Sequence, residues 1–275
     1  MKKFIILSIA ALFAFGFAFQ GETITVKGSD TMVILAQRWA EEYMSKKSGV
    51  TIQVTGGGSG TGISALINGT TDVANASRPM KGSEMEKLKQ RYSSRGVEVK
   101  VAKDGLSVYV SGSNPLKELT LAQIKDIYTG KIANWKELGG MDGKIILYSR
   151  ENNSGTYVFF KEHVLENEDF AARTQNLPGT ASVVHAVARD RMGIGYGGAA
   201  YASGIKSLLI KKDDASPAVA ATEETVLNDT YPISRYLYIY LRNRPTGALR
   251  EYIDWILSKE GQDLVAKVGY FPVKK

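Results

Sequence analysis

"VTGGGSGTGISALING", residues 54–69, leads from an alternating apolar segment into a short helical pattern. Between them the loop Gly56 to Gly62 holds five glycines, one serine and one threonine. Val50, Ile52 and Val54 alternate as a strand, and Ile63, Leu66 and Ile67 recur at helical spacing until Asn68-Gly69. Such a turn points backbone N–H groups inward, and the helix that follows adds the positive end of its dipole, so the ligand it suits is a phosphate-like anion. The spelling speaks against a nucleotide loop. A P-loop needs lysine followed by Ser or Thr after its last glycine, whereas Gly62 is followed by Ile63 and Ser64. No register satisfies GxGxxG either, because the third glycine falls on Thr61, Ile63 or Ala65. Taken alone, the loop is equally explained as a flexible strand-to-helix connection.

The same alternation extends to both sides. Thr23 to Val26 reads as a strand, and Met32, Leu35, Trp39 and Tyr43 as a helix stopped by Lys46, Lys47 and Gly49. A third strand, Val73 to Ala76, precedes a helix announced by the capping box Ser83 to Glu86, and Val97, Val99 and Val101 give a fourth strand. After Lys103-Asp104-Gly105 a second set begins with a separate strand, Leu106 to Val110, and a helix capped by Thr120 with Gln123 three residues on. "KIILYSR" (144–150) is a strand, "SGTYVFFKEHVL" (154–165) and "ASVVHAVARDRM" (181–192) are helices, and "MGIGYGG" (192–198) is a short strand. "YPISRYLYIYL" (231–241) returns as a strand after a long loop, and two helices start near Pro245 and Lys259. Two α/β sets with mostly parallel sheets follow from this order.

Composition narrows the setting. "MKKFIILSIAALFAFGFAFQ" has two lysines, an apolar run and small residues at Gly16 and Ala18, the pattern of a cleaved signal peptide over residues 1–20. The apolar run from Phe4 to Phe19 is 16 residues, short of the roughly 20 that span a bilayer. Cysteine is absent, which excludes disulfides, thiolate metal sites, a cysteine nucleophile and a lipid-acceptor cysteine, and leaves a soluble periplasmic protein as the expectation. The formal charge is +7, two of it from Lys2 and Lys3, and the basic residues are scattered without a basic aromatic stripe, so nucleic acid is not the expected partner.

In open α/β sheets ligands bind beyond the carboxyl ends of strands, where the next helices start. Those places hold Gly28-Ser29-Asp30-Thr31, Gly58-Ser59-Gly60-Thr61-Gly62, Asn75-Ala76-Ser77-Arg78, and Arg150 followed by Glu151-Asn152-Asn153-Ser154-Gly155-Thr156. Each serine alone reads as a helix N-cap. Together, hydroxyls, backbone amides and arginines form a donor set for a tetrahedral oxyanion, which needs no cofactor. The competing enzyme readings have less to stand on. "GIGYGG" does satisfy GxGxxG through Gly193, Gly195 and Gly198, with Asp213 twenty residues on, but a helix precedes it and close strand-helix packing explains its small residues. A hydrolase lacks its parts: His163 and His185 stand alone on helices, and GxSxG fails at Ser59 because Thr61 replaces the last glycine. A surface-interaction protein that has lost its ligand is disfavoured by the retained arginines and hydroxyls.

Five segments in order, "VKGSDTMVILAQRWAEEYM", "VTGGGSGTGISALINGTTDVANASRPMK", "LTLAQIKDIYTGKIANWKELGG", "SRENNSGT" and "GYFPV", resemble the periplasmic phosphate-binding proteins of phosphate-specific ABC transporters, from about Thr23 to the end. The resemblance implies a two-lobe, type II periplasmic-binding-protein-like α/β fold, with mixed, mostly parallel sheets joined by two hinge strands. It implies a discontinuous lobe I (21–105 plus 232–275), a lobe II (106–231), inorganic phosphate as ligand, a membrane ABC permease as partner, no catalysis, and a monomer. Carried over residue by residue, the phosphate contacts fall on Ser29, Asp30, Thr31, Ser59, Ser77 and Arg78 from lobe I and on Arg150, Ser154, Gly155 and Thr156 from lobe II. One departure stands out: many members place at the position of Arg78 a carboxylate that accepts the proton of hydrogen phosphate and so rejects sulfate. An arginine cannot accept a hydrogen bond. Asp30 is the nearest acceptor and is expected to take over that discrimination, its alternative role being an N-cap or an ion pair with Arg78. Another oxyanion, sulfate, molybdate or tungstate, is the alternative ligand.

Overall fold

In the computed structural model, which describes residues 21–273, the chain runs β1 (Glu22–Gly28), α1 (Val33–Lys46), β2 (Val50–Thr55), α2 (Ser59–Asn68), β3 (Val73–Ala76), α3 (Gly82–Tyr92) and β4 (Val97–Val110). It continues through β5 (Glu118–Thr120), α4 (Leu121–Thr129), β6 (Ile146–Arg150), α5 (Gly155–His163), β7 (Gln175–Leu177), α6 (Thr180–Arg189), β8 (Gly193–Gly198), β9 (Lys206–Ser207) and β10 (Leu209–Lys211). It closes with α7 (Glu223–Leu227), β11 (Ser234–Leu241), α8 (Gly247–Ile256) and α9 (Lys259–Val268). The expected signal peptide, residues 1–20, lies outside the described residues. No helix among the described residues is long and apolar enough to cross a membrane.

The main sheet has the order β2-β1-β3-β11-β4-β8-β6-β7, with β9 also on β4 and a separate pair β10-β5. β1 lies parallel between β2 and β3, β6 is parallel to β7 and β8, and β11 and β4 run antiparallel to their neighbours. Parallel strands buried on both faces need helices on both sides, and the packing follows that rule. Leu35, Trp39 and Tyr43 of α1, with Tyr252, Ile256 and Val265 from α8 and α9, cover one face of the first half of the sheet, while Ile63, Leu66 and Leu88 cover the other. A second core gathers Ile124, Ile127, Trp135, Phe160, Tyr196 and Tyr231 around the other half. Helix α2 lies so close to β1 that a Cβ on Gly62 would stand 2.5 Å from Lys27 O, so only glycine fits there.

The strand expected to break at Lys103-Asp104-Gly105 does not break. β4 is one 14-residue strand that pairs with β11 through Val97–Gly105 and with β8 through Leu106–Val110, so it passes from one core to the other. Its polar side chains are satisfied internally rather than in a turn: Lys103 Nζ donates to Val226 O at 2.9 Å, and Asp104 receives Arg235. The second connection enters β11 through Ile233, whose carbonyl accepts from Leu106 N at 2.8 Å. Two crossing segments joining two cores are the hinge strands of the expected architecture.

Local corrections have equally simple causes. The box expected at Ser83 to Glu86 sits two residues earlier: α3 is capped from Lys81, whose N–H donates to Glu84 Oε2 at 2.7 Å. The Thr120 box forms as expected, with Gln123 N on Thr120 Oγ1 at 3.1 Å and Thr120 N on Gln123 Oε1 at 2.9 Å. Strands β5, β7, β9 and β10 are too short to carry a period, and none was expected. The helix read through Met192 ends at Arg189. The GxGxxG of residues 193–198 is β8 itself: a Cβ on Gly195 would meet Val183 at 2.6 Å and Val187 at 2.7 Å, so its glycines let α6 lie against the strand.

Candidate functional site

The sheet delivers four strand ends to one place. β1 ends in Ser29-Asp30-Thr31, β2 in the glycine loop and Ser59, β3 in Ser77-Arg78, and β6 in Arg150 and the turn to Ser154. Gly57 and Gly58 hold φ of +108° and +88°, a left-handed conformation that brings the loop under the opposite lobe. There Gly60 N donates to Asn153 O at 2.9 Å, and Asn153 Nδ2 donates to Gly57 O at 3.0 Å and Thr61 Oγ1 at 3.2 Å. The lobes are therefore in direct contact across the cleft.

Behind this contact lies a hydroxyl cluster from both lobes. Thr31 Oγ1 and Thr156 Oγ1 are 2.8 Å apart, Ser77 Oγ is 3.5 Å from Thr156 Oγ1 and 3.4 Å from Ser59 Oγ, and Ser77 N donates to Ser59 Oγ at 3.0 Å. All four residues are buried, as are Ser29 and Ser154. A Cβ on Gly155 would lie 2.3 Å from Ser59 Oγ and 2.7 Å from Ser77 Oγ, so only glycine lets α5 start this close to lobe I. The bland reading of the serines as caps holds for Ser154, whose Oγ accepts from the amides of Thr156 and Tyr157. It does not hold for Ser29, which makes no side-chain cap, or for Ser59, which follows the N-cap Gly58 and spends its hydroxyl on Ser77.

Arg150 is 1% exposed and bridges the lobes: Nη2 donates to Asp30 Oδ2 at 2.6 Å and Nη1 to Thr180 Oγ1 at 2.7 Å. Burial lowers its pKa from the ordinary arginine value while the Asp30 carboxylate opposes the shift, and a guanidinium stays charged under such a pull. Asp30 is fixed on its other oxygen by Gly57 N at 2.7 Å, and its carbonyl accepts from Tyr201 Oη at 2.7 Å. Burial pushes the Tyr201 phenol up to about 12, which keeps it a neutral donor.

Arg78 departs from expectation. Its guanidinium is bidentate to Glu84, at 2.7 and 2.8 Å, and also donates to Pro79 O at 2.9 Å, so both Nη groups brace the β3–α3 corner while the buried Nε has no partner. The ion pair of Asp30 is with Arg150, not Arg78. Burial alone would raise the Glu84 carboxyl, but Arg78 and the Lys81 amide outweigh it and hold the group below its usual value. The histidines take no part: His163 stacks on Phe159, and His185 is exposed.

Sequence reasoning missed one cationic member. Arg235 of β11 reaches Thr156 Oγ1 with Nη2 at 3.0 Å while holding Asp104. A lone charge inside an apolar strand, "YPISRYLYIYL", was the signal available for it. Among the buried side-chain atoms around these strand ends, the donors Arg78 Nε, Arg150 Nε and Arg235 Nη1 have no hydrogen-bond partner, against one acceptor, Asn75 Oδ1. Donors thus outnumber acceptors in this region, the chemistry that suits an acceptor-rich ligand. No group of three or more His, Cys, Asp or Glu side chains that could hold a metal ion occurs among the described residues.

Fold and cleft together define a two-lobed α/β protein of the periplasmic-binding type, with strand-end hydroxyls and arginines of both lobes meeting between them. The model of the PBP superfamily domain matches residues 18–260. The chain is 36% identical to the phosphate-binding protein PstS of Pseudomonas aeruginosa over 263 residues, covering 90% of this chain and 81% of that one. It is 33% identical to the PstS of Staphylococcus epidermidis, covering 86% and 74% of the two chains. It also superposes with a TM-score of 0.84 on a substrate-binding protein assigned to a phosphate ABC transporter of Clostridium perfringens, solved with bound phosphate, at 35% identity and covering 92% of this chain and all of that one. The chain belongs to the PBP superfamily and, within it, to the family of the phosphate-binding protein PstS.

Proposed function

We propose that the protein captures inorganic phosphate between its lobes and delivers it to a membrane ABC permease. The observation that carries this reading is the cross-lobe cluster of Thr31, Ser59, Ser77 and Thr156 beside the buried Arg150. The proposed phosphate contacts are Ser29, Asp30, Thr31, Ser59 and Ser77 from lobe I (21–105 plus 232–275) and Arg150, Ser154, Gly155 and Thr156 from lobe II (106–231). Arg78 can add only its unpartnered Nε, because Glu84 holds its fork. The open form binds the anion through one lobe's helix starts, and closure adds the other lobe's donors, with the closed population set by the difference in ligand contacts between the two forms. The protein works outside the cytoplasmic membrane as a monomer, exported through residues 1–20, and the absence of cysteine from the sequence leaves no thiol for a lipid anchor.

Selectivity rests on Asp30. A hydrogen phosphate brings a proton that a carboxylate accepts, and sulfate brings none, so an unprotonated ligand leaves two like charges facing each other. Calorimetry on the ligand-stripped protein tests the reading: phosphate binding that equimolar sulfate and molybdate leave unchanged is the expected result. Equal competition by either anion would move the assignment to another oxyanion, and no phosphate binding would overturn it.

A further inference from the structure

We propose that Arg235 is a positioning residue of the ligand site, setting the Thr156 hydroxyl as a donor toward the anion and tying it, through Asp104, to the hinge. The inference rests on the phosphate reading and deepens it. Arg235 on β11 stands opposite Asp104 on β4, one residue before β4 exchanges β11 for β8. Both side chains are buried, with Asp104 fully enclosed. Nε and Nη2 of Arg235 both lie on Asp104 Oδ2, at 3.1 and 2.9 Å, and Asp104 Oδ1 accepts from Ala199 N, just past β8, at 3.1 Å. The pair therefore joins both hinge-side strands to the second lobe, and the same Nη2 that holds Asp104 also reaches the ligand site. Nη2 reaches Thr156 Oγ1 at 3.0 Å, and the guanidinium carbon lies 5.2 Å from the Phe159 ring centroid on the same helix.

Packing does not account for this arrangement, because an enclosed ion pair is generally no better for stability than an apolar pair of equal volume. The hydroxyl does account for it. A threonine oxygen has one proton to give and two lone pairs. With one lone pair taken by a charged donor, Thr156 cannot donate toward β11, and its proton is left for the side where Thr31 and Ser77 lie. The charged donor also polarises the O–H and strengthens it as a donor.

The test is a double-mutant cycle on phosphate affinity, measured by calorimetry. The neutral pair Asp104→Asn with Arg235→Gln, which avoids stranding a buried carboxylate, is compared in the wild-type and Thr156→Val backgrounds. We expect the pair to weaken phosphate binding about tenfold when Thr156 is present and less than about twofold in the Thr156→Val background, because the affected bond is then already gone. An equal loss in both backgrounds would overturn the proposal, since a purely structural role does not depend on the hydroxyl. Should the neutral pair fail to fold, Arg235→Lys keeps the charge beside Asp104 and gives up the fork; the same dependence on Thr156 is expected of it, and its absence would be equally fatal. Wild-type protein that does not bind phosphate overturns the functional reading and this proposal with it, whereas wild-type binding with an additive cycle overturns this proposal alone.

Discussion

Replacing Asn153 by alanine removes the side-chain half of one of the contacts between the lobes. The half-buried amide makes two bonds across the cleft, to Gly57 O at 3.0 Å and to Thr61 Oγ1 at 3.2 Å, while the backbone bond from Gly60 N to Asn153 O survives the change. Two neutral bonds contribute about 0.5–1.5 kcal/mol each, and partial exposure puts this pair near the lower half, about 1–2 kcal/mol together. That lowers the ratio of closed to open protein by about 5–30-fold. Because the groups lost meet only after closure, the loss falls on phosphate release, which speeds by about the same factor, while capture by the open form keeps its rate. Stopped-flow displacement separates the two rates, and small-angle scattering reports the open fraction. Thr61→Val, which removes one of the two bonds, should show about 2–5-fold. A release rate equal to wild type in Asn153→Ala, or a slowed capture rate with release unchanged, would refute the reasoning.

Gly155→Ala places a methyl group 2.3 Å from Ser59 Oγ and 2.7 Å from Ser77 Oγ, so closure is obstructed while each lobe keeps its core. Phosphate affinity should fall about 10–100-fold with little change in melting temperature, and calorimetry giving wild-type affinity would contradict the placement. Asp30→Asn should let sulfate compete with phosphate, and unchanged competition would remove Asp30 from the selectivity role. The Glu84 carboxyl is held below its usual value in the folded protein, so its contribution to stability is complete above the ordinary glutamate range near pH ~4.3 and is lost as the pH falls through the lower folded value. Glu84→Gln should therefore be less stable at neutral pH and lose less on acidification than wild type in chemical denaturation. A parallel displacement of the two stability curves at all pH values would show that the ionised Glu84–Arg78 pair is not the cause.

Much of the site was legible because its residues sit at the ends of strands whose periods are strong. Val50 to Val54, Val73 to Ala76 and Lys144 to Arg150 announce where the sheet stops, and the polar residues that follow are those the fold gathers. Arg78 shows the limit of that reasoning. It occupies a strand end, yet Glu84, six residues on, takes both prongs of its fork, and which neighbour an arginine chooses is settled by side-chain reach rather than by position. The unbroken β4 is a second case: Lys103-Asp104-Gly105 has the spelling of a turn, yet the backbone pairs on with β11 and β8, and Asp229 and Arg235 take up the charges of Lys103 and Asp104.

The sequence by itself determined the two α/β sets, the glycine loop at the start of α2, the absence of thiol chemistry and the hydroxyl, amide and arginine donors at the strand ends. These depend on local periods, turn chemistry and composition, all of which act over a few residues. Only the tertiary structure decided that Asp30 pairs with Arg150, 120 positions away, and that Arg235 reaches Thr156, 79 positions away. The order of strands in the sheet brings such groups together. Where two lobes meet, each charge takes the partner that burial leaves within reach.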